Sequence, residues 1–378
     1  MQQGKLAPRI CFVVDLPVEA LGGGAEKQCY LVARGLAQKG WSVAYLTSRE
    51  GPLGTEKRLK VYRADVCLKG NSRMARYLRA PSLFRDLGRV NPDIVLFTNS
   101  GSLGGFVTLC SLVYRKRVVY RAASSRDADL TFGENGWSQY GFVARSLHRF
   151  AVKNVDLVVT NAAYVADQFG KWTPKKNIRV IRNGVEIDRA MVGRRKRLEP
   201  SYVLWMSQLE KWKNPGAFVK LAKALPDTQF VMSGSGSLWS EVVQEASGAP
   251  NLTLTGGVGG QTKTGLLERA FAFVNTSPAE GFPNTLLEAG THSLPYISFV
   301  DPDEVICRYN MGFHVKSFLE LVEKTSILVR DKALRTEMGR NIRRYVEKEH
   351  DIEKTASEYD RLLRSLLRSS QRTHGKRG

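Results

Sequence analysis

Cysteine is scarce and unpaired in this chain. Cys11, Cys29, Cys67, Cys110 and Cys307 are odd in number and include no C-x-x-C pair, which argues against a disulfide framework or a zinc site and predicts a reducing compartment. Long hydrophobic runs are missing too. The stretch Ile10 to Val14 stops at Asp15, too short for the core of a secretion signal, so the sequon Asn251-Leu252-Thr253 is read as chance. The longest uncharged segment, Ile94 to Tyr114, is interrupted by Thr98, Asn99, Ser100, Gly101, Ser102, Gly104 and Gly105; a strand, a glycine loop and a helix are predicted there rather than a bilayer span. No glycine cluster fits G-x-G-x-x-G: Gly234-Ser-Gly236-Ser-Leu-Trp239 puts tryptophan at the third glycine, which counts against a nicotinamide dehydrogenase.

Acidic side chains are few, with 36 Asp and Glu against 57 Lys and Arg for a formal charge of +21. Residues 1–190 hold 30 basic and 15 acidic side chains, so the amino-terminal half is the basic part and anionic partners are expected. Hydrophobic residues at 43% and charged ones at 25% exclude disorder for the bulk of the 378 residues, a length that implies two or three domains at roughly 100–200 residues each.

Short apolar runs alternate with amphipathic stretches. Strands are predicted at Ile10–Val14, Val43–Leu46, Ile94–Phe97, Val118–Tyr120, Leu157–Thr160 and Ile178–Ile181, and again at Tyr202–Met206, Phe230–Met232, Leu252–Thr255, Phe271–Asn275 and Tyr296–Val300. Helical periodicity between most of them implies two parallel, doubly wound α/β domains. The expected divisions are a first α/β domain at 1–185, a basic linker at 186–200 containing Arg194-Arg-Lys-Arg197, a second α/β domain at 201–350, and a helix with a basic tail at 351–378 packed on the first domain.

Ligands of such sheets bind at the carboxyl ends of the strands. Gly22-Gly-Gly-Ala-Glu26 follows the first strand and opens a helix, which makes it either an anion site or a flexible turn. The most informative segment is Ser277-Pro-Ala-Glu280-Gly-Phe-Pro283-Asn-Thr-Leu-Leu-Glu288-Ala. Pro283 fits the first position of a helix, the amides of Gly281, Phe282, Asn284 and Thr285 fit a diphosphate, Glu280 fits sugar hydroxyls and Glu288 the two hydroxyls of a ribose.

This E-x7-E segment resembles that of the retaining nucleotide-sugar glycosyltransferases of family 4, which have the GT-B fold. Gly22 to Glu26, Asn183-Gly184-Val185, Lys213-Asn-Pro215, Gly234-Ser-Gly236 and Asp301-Pro302 extend the resemblance over most of the chain. It implies two Rossmann-like domains facing across a cleft, with C-terminal helices. It also implies sugar transfer from a UDP- or GDP-sugar to a glycan or lipid-linked glycan, in cell-surface polysaccharide synthesis, with neither cofactor nor divalent metal. Glu280 and Lys213 are the implied catalytic residues. Gly23, Gly24, Gln208, Gly234, Gly281, Phe282, Pro283, Asn284, Thr285 and Glu288 are implied to bind the donor. Gln208 stands in Ser207-Gln208-Leu209 where the family commonly has arginine, which shifts charge compensation to Lys213 or Lys211. Ser293 replaces a usual glycine, beside His292 at a helix end. Arg121, Arg126 and Asp127 in Tyr120-Arg-Ala-Ala-Ser-Ser-Arg-Asp127-Ala-Asp129 either orient an acceptor or form a salt-bridged loop.

The alternatives are an epimerase of the same fold and, from charge alone, a nucleic-acid-binding protein, for which no recognition module is present. The basic excess is instead assigned to the anionic cytoplasmic face of a membrane. Arg73, Arg76 and Arg79 interleaved with Met74, Tyr77 and Leu78, Arg115-Lys-Arg117 beside Val113 and Tyr114, and the Arg361–Arg377 tail are the candidates for that contact.

Overall fold

The computed structural model describes residues 7–14, 23–47, 59–63, 80–98, 101–130, 141–187 and 202–374. Gly22, the run 73–79, Arg194–Arg197 and the last four residues lie outside them. Two compact units are formed, Met1–Gly184 with Ile352–Gly378, and Val185–Asp351.

In the first unit, among the described residues, β1 (Arg9–Val13), β2 (Ser42–Thr47), β3 (Leu59–Arg63), β4 (Ile94–Thr98), β5 (Arg117–Arg121), β6 (Leu157–Thr160) and β7 (Ile178–Val180) form one parallel sheet ordered β3-β2-β1-β4-β5-β6-β7. Helices cover both faces, so the inner strands are apolar on both sides. Cys11, Val13, Val95, Phe97, Val118 and Tyr120 point to one core, which α2 (Ala80–Val90), α3 (Ser102–Val113), α4 (Phe142–Asn154) and α5 (Ala163–Phe169) close. The alternate residues Ile10, Phe12, Ile94, Leu96 and Val119 point to a second core under α1 (Gly24–Gln38). The uncharged segment resolves into β4 and α3.

The second unit repeats this plan. β8 (Tyr202–Met206), β9 (Phe230–Ser233), β10 (Leu252–Leu254), β11 (Ala270–Asn275), β12 (Tyr296–Ser298) and β13 (Gly312–His314) form a parallel sheet ordered β10-β9-β8-β11-β12-β13. Val203, Trp205, Phe230, Met232, Ala272 and Val274 meet α6 (Pro215–Ala224), α7 (Trp239–Ala246) and α11 (Phe318–Arg330). Leu204, Val231 and Phe273 meet α8 (Gly260–Arg269), α9 (Asn284–Thr291), α10 (Val305–Arg308) and α12 (Lys332–Glu349).

β3 and β13 were not predicted. β3 is an edge strand whose residues Leu59 to Tyr62 alternate between half-buried and exposed, and β13 is three residues long and begins at Gly312, whose φ is 153°. Neither carries the continuous apolar run that marks an inner strand.

The chain returns to the first unit through α13 (Ile352–His374), whose Tyr359 and Leu363 complete the core under α1. Trp41 donates to Asp360 at 2.6 Å, and Arg364 lies over the Trp41 ring at 5.3 Å. Asn183-Gly184 sits at this junction. Gln28 exchanges two hydrogen bonds with the Gly184 backbone, at 2.7 and 2.9 Å, and a Cβ on Gly184 would meet Ile352 at 2.5 Å. Gly35 is the contact point of the two helices, where an added Cβ would lie 2.4 Å from that of Ala356. Gly35→Val is therefore expected to destabilise the first unit by about 1–3 kcal/mol through overpacking. Denaturant unfolding followed by circular dichroism checks this, and a variant as stable as the wild type would contradict the packing described.

Candidate functional site

In the second sheet the chain leaves β8 toward β9 on one side and leaves β11 toward β12 on the other. The loops after β8 and β11 therefore flank a topological switch point, where open parallel sheets bind ligands. Lys213 lies in the first loop and Glu280 in the second, and they form an ion pair with side chains only 18% and 14% exposed. The backbone beneath is braced: Trp205 Nε1 donates to Thr276 Oγ1 at 2.8 Å, and Thr276 Oγ1 donates to the Lys213 carbonyl at 2.7 Å. Asn214 takes left-handed φ 48°, and Pro215 then starts α6. The Lys213-Asn-Pro215 spacing thus turns the chain sharply with the lysine at the apex, a conformation that asparagine tolerates and proline extends into helix.

Gln208 is exposed on the same loop. Gly234 and Gly236 have a packing reason: a Cβ on Gly234 would lie 1.9 Å from the Ser207 carbonyl oxygen, and one on Gly236 would lie 2.4 Å from that of Leu209. The loop after β9 can press on the loop carrying Gln208 only without side chains at those two positions. Glu210 adds a polar tie, accepting from the Ser237 amide at 3.1 Å and its hydroxyl at 2.6 Å.

The E-x7-E segment spans the loop after β11 and α9. Pro283 is the residue before the helix rather than its first, and its carbonyl accepts from Leu286 at 3.1 Å. Asn284 and Thr285 form the start of α9. The Phe282 side chain is buried against the His350 ring at 4.7 Å, so it anchors the loop while its backbone stays near the helix start. Glu288 is buried on α9 and pairs with Lys263 of α8. Lys263 escaped the sequence reading; its only local signal is a lysine in the first turn of a helix behind the glycine-rich loop 256–260. The Ser277 hydroxyl is buried and has no hydrogen-bond partner among the described residues. At the far end of α9, His292 closes the helix and Ser293 adopts φ 54°, the left-handed position where a glycine is usual.

The remaining sequence-derived residues lie in the first unit. Gly23 precedes α1 in extended conformation and Gly24 is its first residue; a Cβ on Gly23 would crowd Glu26 at 2.9 Å. Arg121 is buried. It donates to Asn183 at 2.6 Å and bonds Tyr359, whose phenol burial pushes up to about 12 while the guanidinium opposes the rise. Asp127 accepts from the amides of Ala123 and Ser124, at 2.8 and 3.0 Å, and so closes a short 3-10 turn at Ser125–Ala128. His148 contacts the Asp127 carbonyl at 2.9 Å; burial lowers its pKa, with the Asp127 carbonyl and charge opposing. Arg121 and Asp127 are thus engaged inside the fold, and Arg126 is partly exposed beside them.

Among the described residues, one group outside these has a donor set of the kind that ligates metals. Asp301, Cys307 and His314 bring one ligand atom each within 4.8 Å of one another. Asp301 also caps α10, accepting from Ile306 at 2.7 Å and Cys307 at 3.1 Å. Burial and the Asp301 carboxylate raise the Cys307 thiol.

The sequence matches the family model Glycosyltransferase Family 4 over residues 22–189 and the model Glycosyl transferases group 1 over residues 187–345. No curated protein matches the chain in sequence. Solved structures do match. Sucrose-phosphate synthase from Thermosynechococcus elongatus superposes with TM-score 0.79 at 16% identity, over 96% of this chain and 100% of its own. HepE from Anabaena, solved with UDP-glucose, gives 0.73 at 15%, over 94% and 99%. TarM from S. aureus, solved with fondaparinux, alpha-GlcNAc-glycerol and UDP, gives 0.71 at 12%, over 94% and 99%. At such identities the superpositions establish the fold, and the two family models establish the kinship. The chain belongs to the GT-B glycosyltransferases, its first part to Glycosyltransferase Family 4 and its second to the group 1 glycosyl transferases.

Proposed function

We propose that this glycosyltransferase moves a sugar from a UDP- or GDP-sugar to a glycan or lipid-linked glycan, with retention and without a divalent metal, in cell-surface polysaccharide synthesis. The observation that carries this reading is the Lys213–Glu280 pair at the switch point. In this structure the two charges satisfy each other. A nucleotide sugar offers each a better partner, its diphosphate to Lys213 and its sugar hydroxyls to Glu280. Glu288 takes the ribose, and the first turn of α9 faces the distal phosphate, where the helix dipole favours negative charge. The uridine nucleotides in the Anabaena and S. aureus complexes support UDP as the base-bearing part.

In the transfer, the bond from the anomeric carbon to the phosphate oxygen breaks and the bond to the acceptor oxygen forms on the same face. The acceptor proton passes to the departing phosphate. Lys213 and the helix start stabilise the charge that develops there. Glu280 orients the sugar and is not the nucleophile. In the first unit, the α1 start at Gly23 and Gly24 is the candidate for a further phosphate contact, and Arg126 for an acceptor contact.

Membrane attachment is part of the same proposal. Phe142 is 83% exposed and Val143 follows it at the start of α4, which also carries Arg145 and Arg149. Leu112, Val113 and Tyr114 are exposed ahead of Arg115. Apolar side chains next to basic ones suit the headgroup boundary of an anionic leaflet. Among the described residues, no helix is long and apolar enough to cross a membrane.

Three outcomes are expected. Glu288→Ala removes two charge-assisted hydrogen bonds, each worth about 1.5–3 kcal/mol, so donor affinity falls about a hundredfold or more in calorimetry. In the same series Glu280→Ala lowers kcat, Lys213→Ala costs more than Gln208→Ala, and Gln208→Arg is neutral or raises affinity; two wild-type glutamate variants would remove the assignment. Initial rates survive EDTA, and activity lost to the chelator and restored by manganese or magnesium would refute metal independence. Co-sedimentation with liposomes requires anionic lipid and falls with salt, exposed charges being screened within roughly 10 Å at 0.1 M; equal recovery from neutral vesicles would favour a soluble acceptor.

A further inference from the structure

Each carboxylate of the E-x7-E segment is held by a lysine from a different element, Lys213 from the loop after β8 and Lys263 from α8. Lys213 meets Glu280, and Lys263 meets Glu288 with side chains 27% and 11% exposed. Two carboxylates in a site for a diphosphate would repel it unless neutralised, and at low solvent exposure the repulsion is weakly screened. The second lysine therefore has an electrostatic task that the first cannot perform, because it neutralises a different carboxylate. It also has a geometric one. Its Nζ bonds Oε2 of Glu288, and an ammonium fixed on one oxygen orients the carboxylate plane.

The local backbone suits a nucleotide near this pair. The loop Gly256-Gly-Val-Gly-Gly260 joins β10 to α8, with Gly256 and Gly260 at φ 70° and 52°, and a Cβ on Gly259 or Gly260 would meet nothing within 4 Å. Side chains are thus absent where the loop surface is open, one turn before Lys263.

We propose that Lys263 is a positioning residue of the donor site. It neutralises Glu288 and holds its carboxylate in the orientation that accepts the vicinal hydroxyls of a ribose, and so sets the preference for a ribonucleotide over its 2′-deoxy form. This rests on the assignment of Glu288 to the ribose.

The test is calorimetry of UDP, GDP and their 2′-deoxy counterparts with wild type, Lys263→Met, Lys263→Gln, Lys263→Arg and Glu288→Ala. The wild type should prefer the ribonucleotide. Lys263→Met and Lys263→Gln should weaken the preferred ribonucleotide by about tenfold or more, as expected for loss of a charge-assisted bond, and flatten the ribo-to-deoxy ratio. Lys263→Arg should recover most of that ratio, and in turnover the lesion should appear in the donor KM more than in kcat. A merely structural lysine would leave the ratio unchanged whatever it did to the melting temperature. Should Lys263→Met not fold, Lys263→Gln carries the same comparison. Wild-type ratios in the lysine variants with a defective Glu288→Ala would overturn the role of Lys263 alone. A wild-type Glu288→Ala would overturn the ribose assignment beneath it.

Discussion

An ion pair between two loops that leave adjacent strands in opposite directions organises the second unit. Lys213 and Glu280 are distant in sequence, and nothing local brings them together. The parallel sheet does, because β8 and β11 are neighbours and both end on the same edge. The rest of the unit serves that meeting: Trp205 and Thr276 brace the lysine's carbonyl, Gly234 and Gly236 let a third loop press in, and Phe282 fastens the glutamate's loop to the core. A charge pair so enclosed is costly to leave half-made. The proposed function has a ligand's phosphate and hydroxyls take the place of the two partners.

The first unit uses comparable constraints for a different end. Asn183 and Gly184 close the chain against Arg121 and Gln28 at the point where α13 begins, so residues that family resemblance singles out here hold the fold. A buried guanidinium bonded to Asn183 and Tyr359 is poorly placed to greet an acceptor, and Asp127 spends its carboxylate on backbone amides. The acceptor reading passes from these to the partly exposed Arg126.

Much of the architecture was legible because inner parallel strands must be apolar on both faces: the runs Ile94–Phe97, Leu157–Thr160 and Tyr202–Met206 announce themselves. The edge strands β3 and β13 carry half that pattern and were missed. Within the site, Glu280 and Glu288 were legible as a motif fixed in spacing on one loop and helix. Lys263 was not, because its partner lies on another helix and no local pattern marks a tertiary ion pair. The glycines of Gly234-Ser-Gly236 were legible as a cluster, but the carbonyls that exclude a side chain there belong to a loop read separately.

The central claim is that the donor replaces the Lys213–Glu280 pair. A crystal structure of the chain soaked with a UDP-sugar or GDP-sugar tests it most directly. The account predicts the diphosphate within hydrogen-bonding distance of Lys213 Nζ, sugar hydroxyls on Glu280 and the ribose on Glu288. A donor bound elsewhere, with the Lys213–Glu280 pair intact, would contradict it.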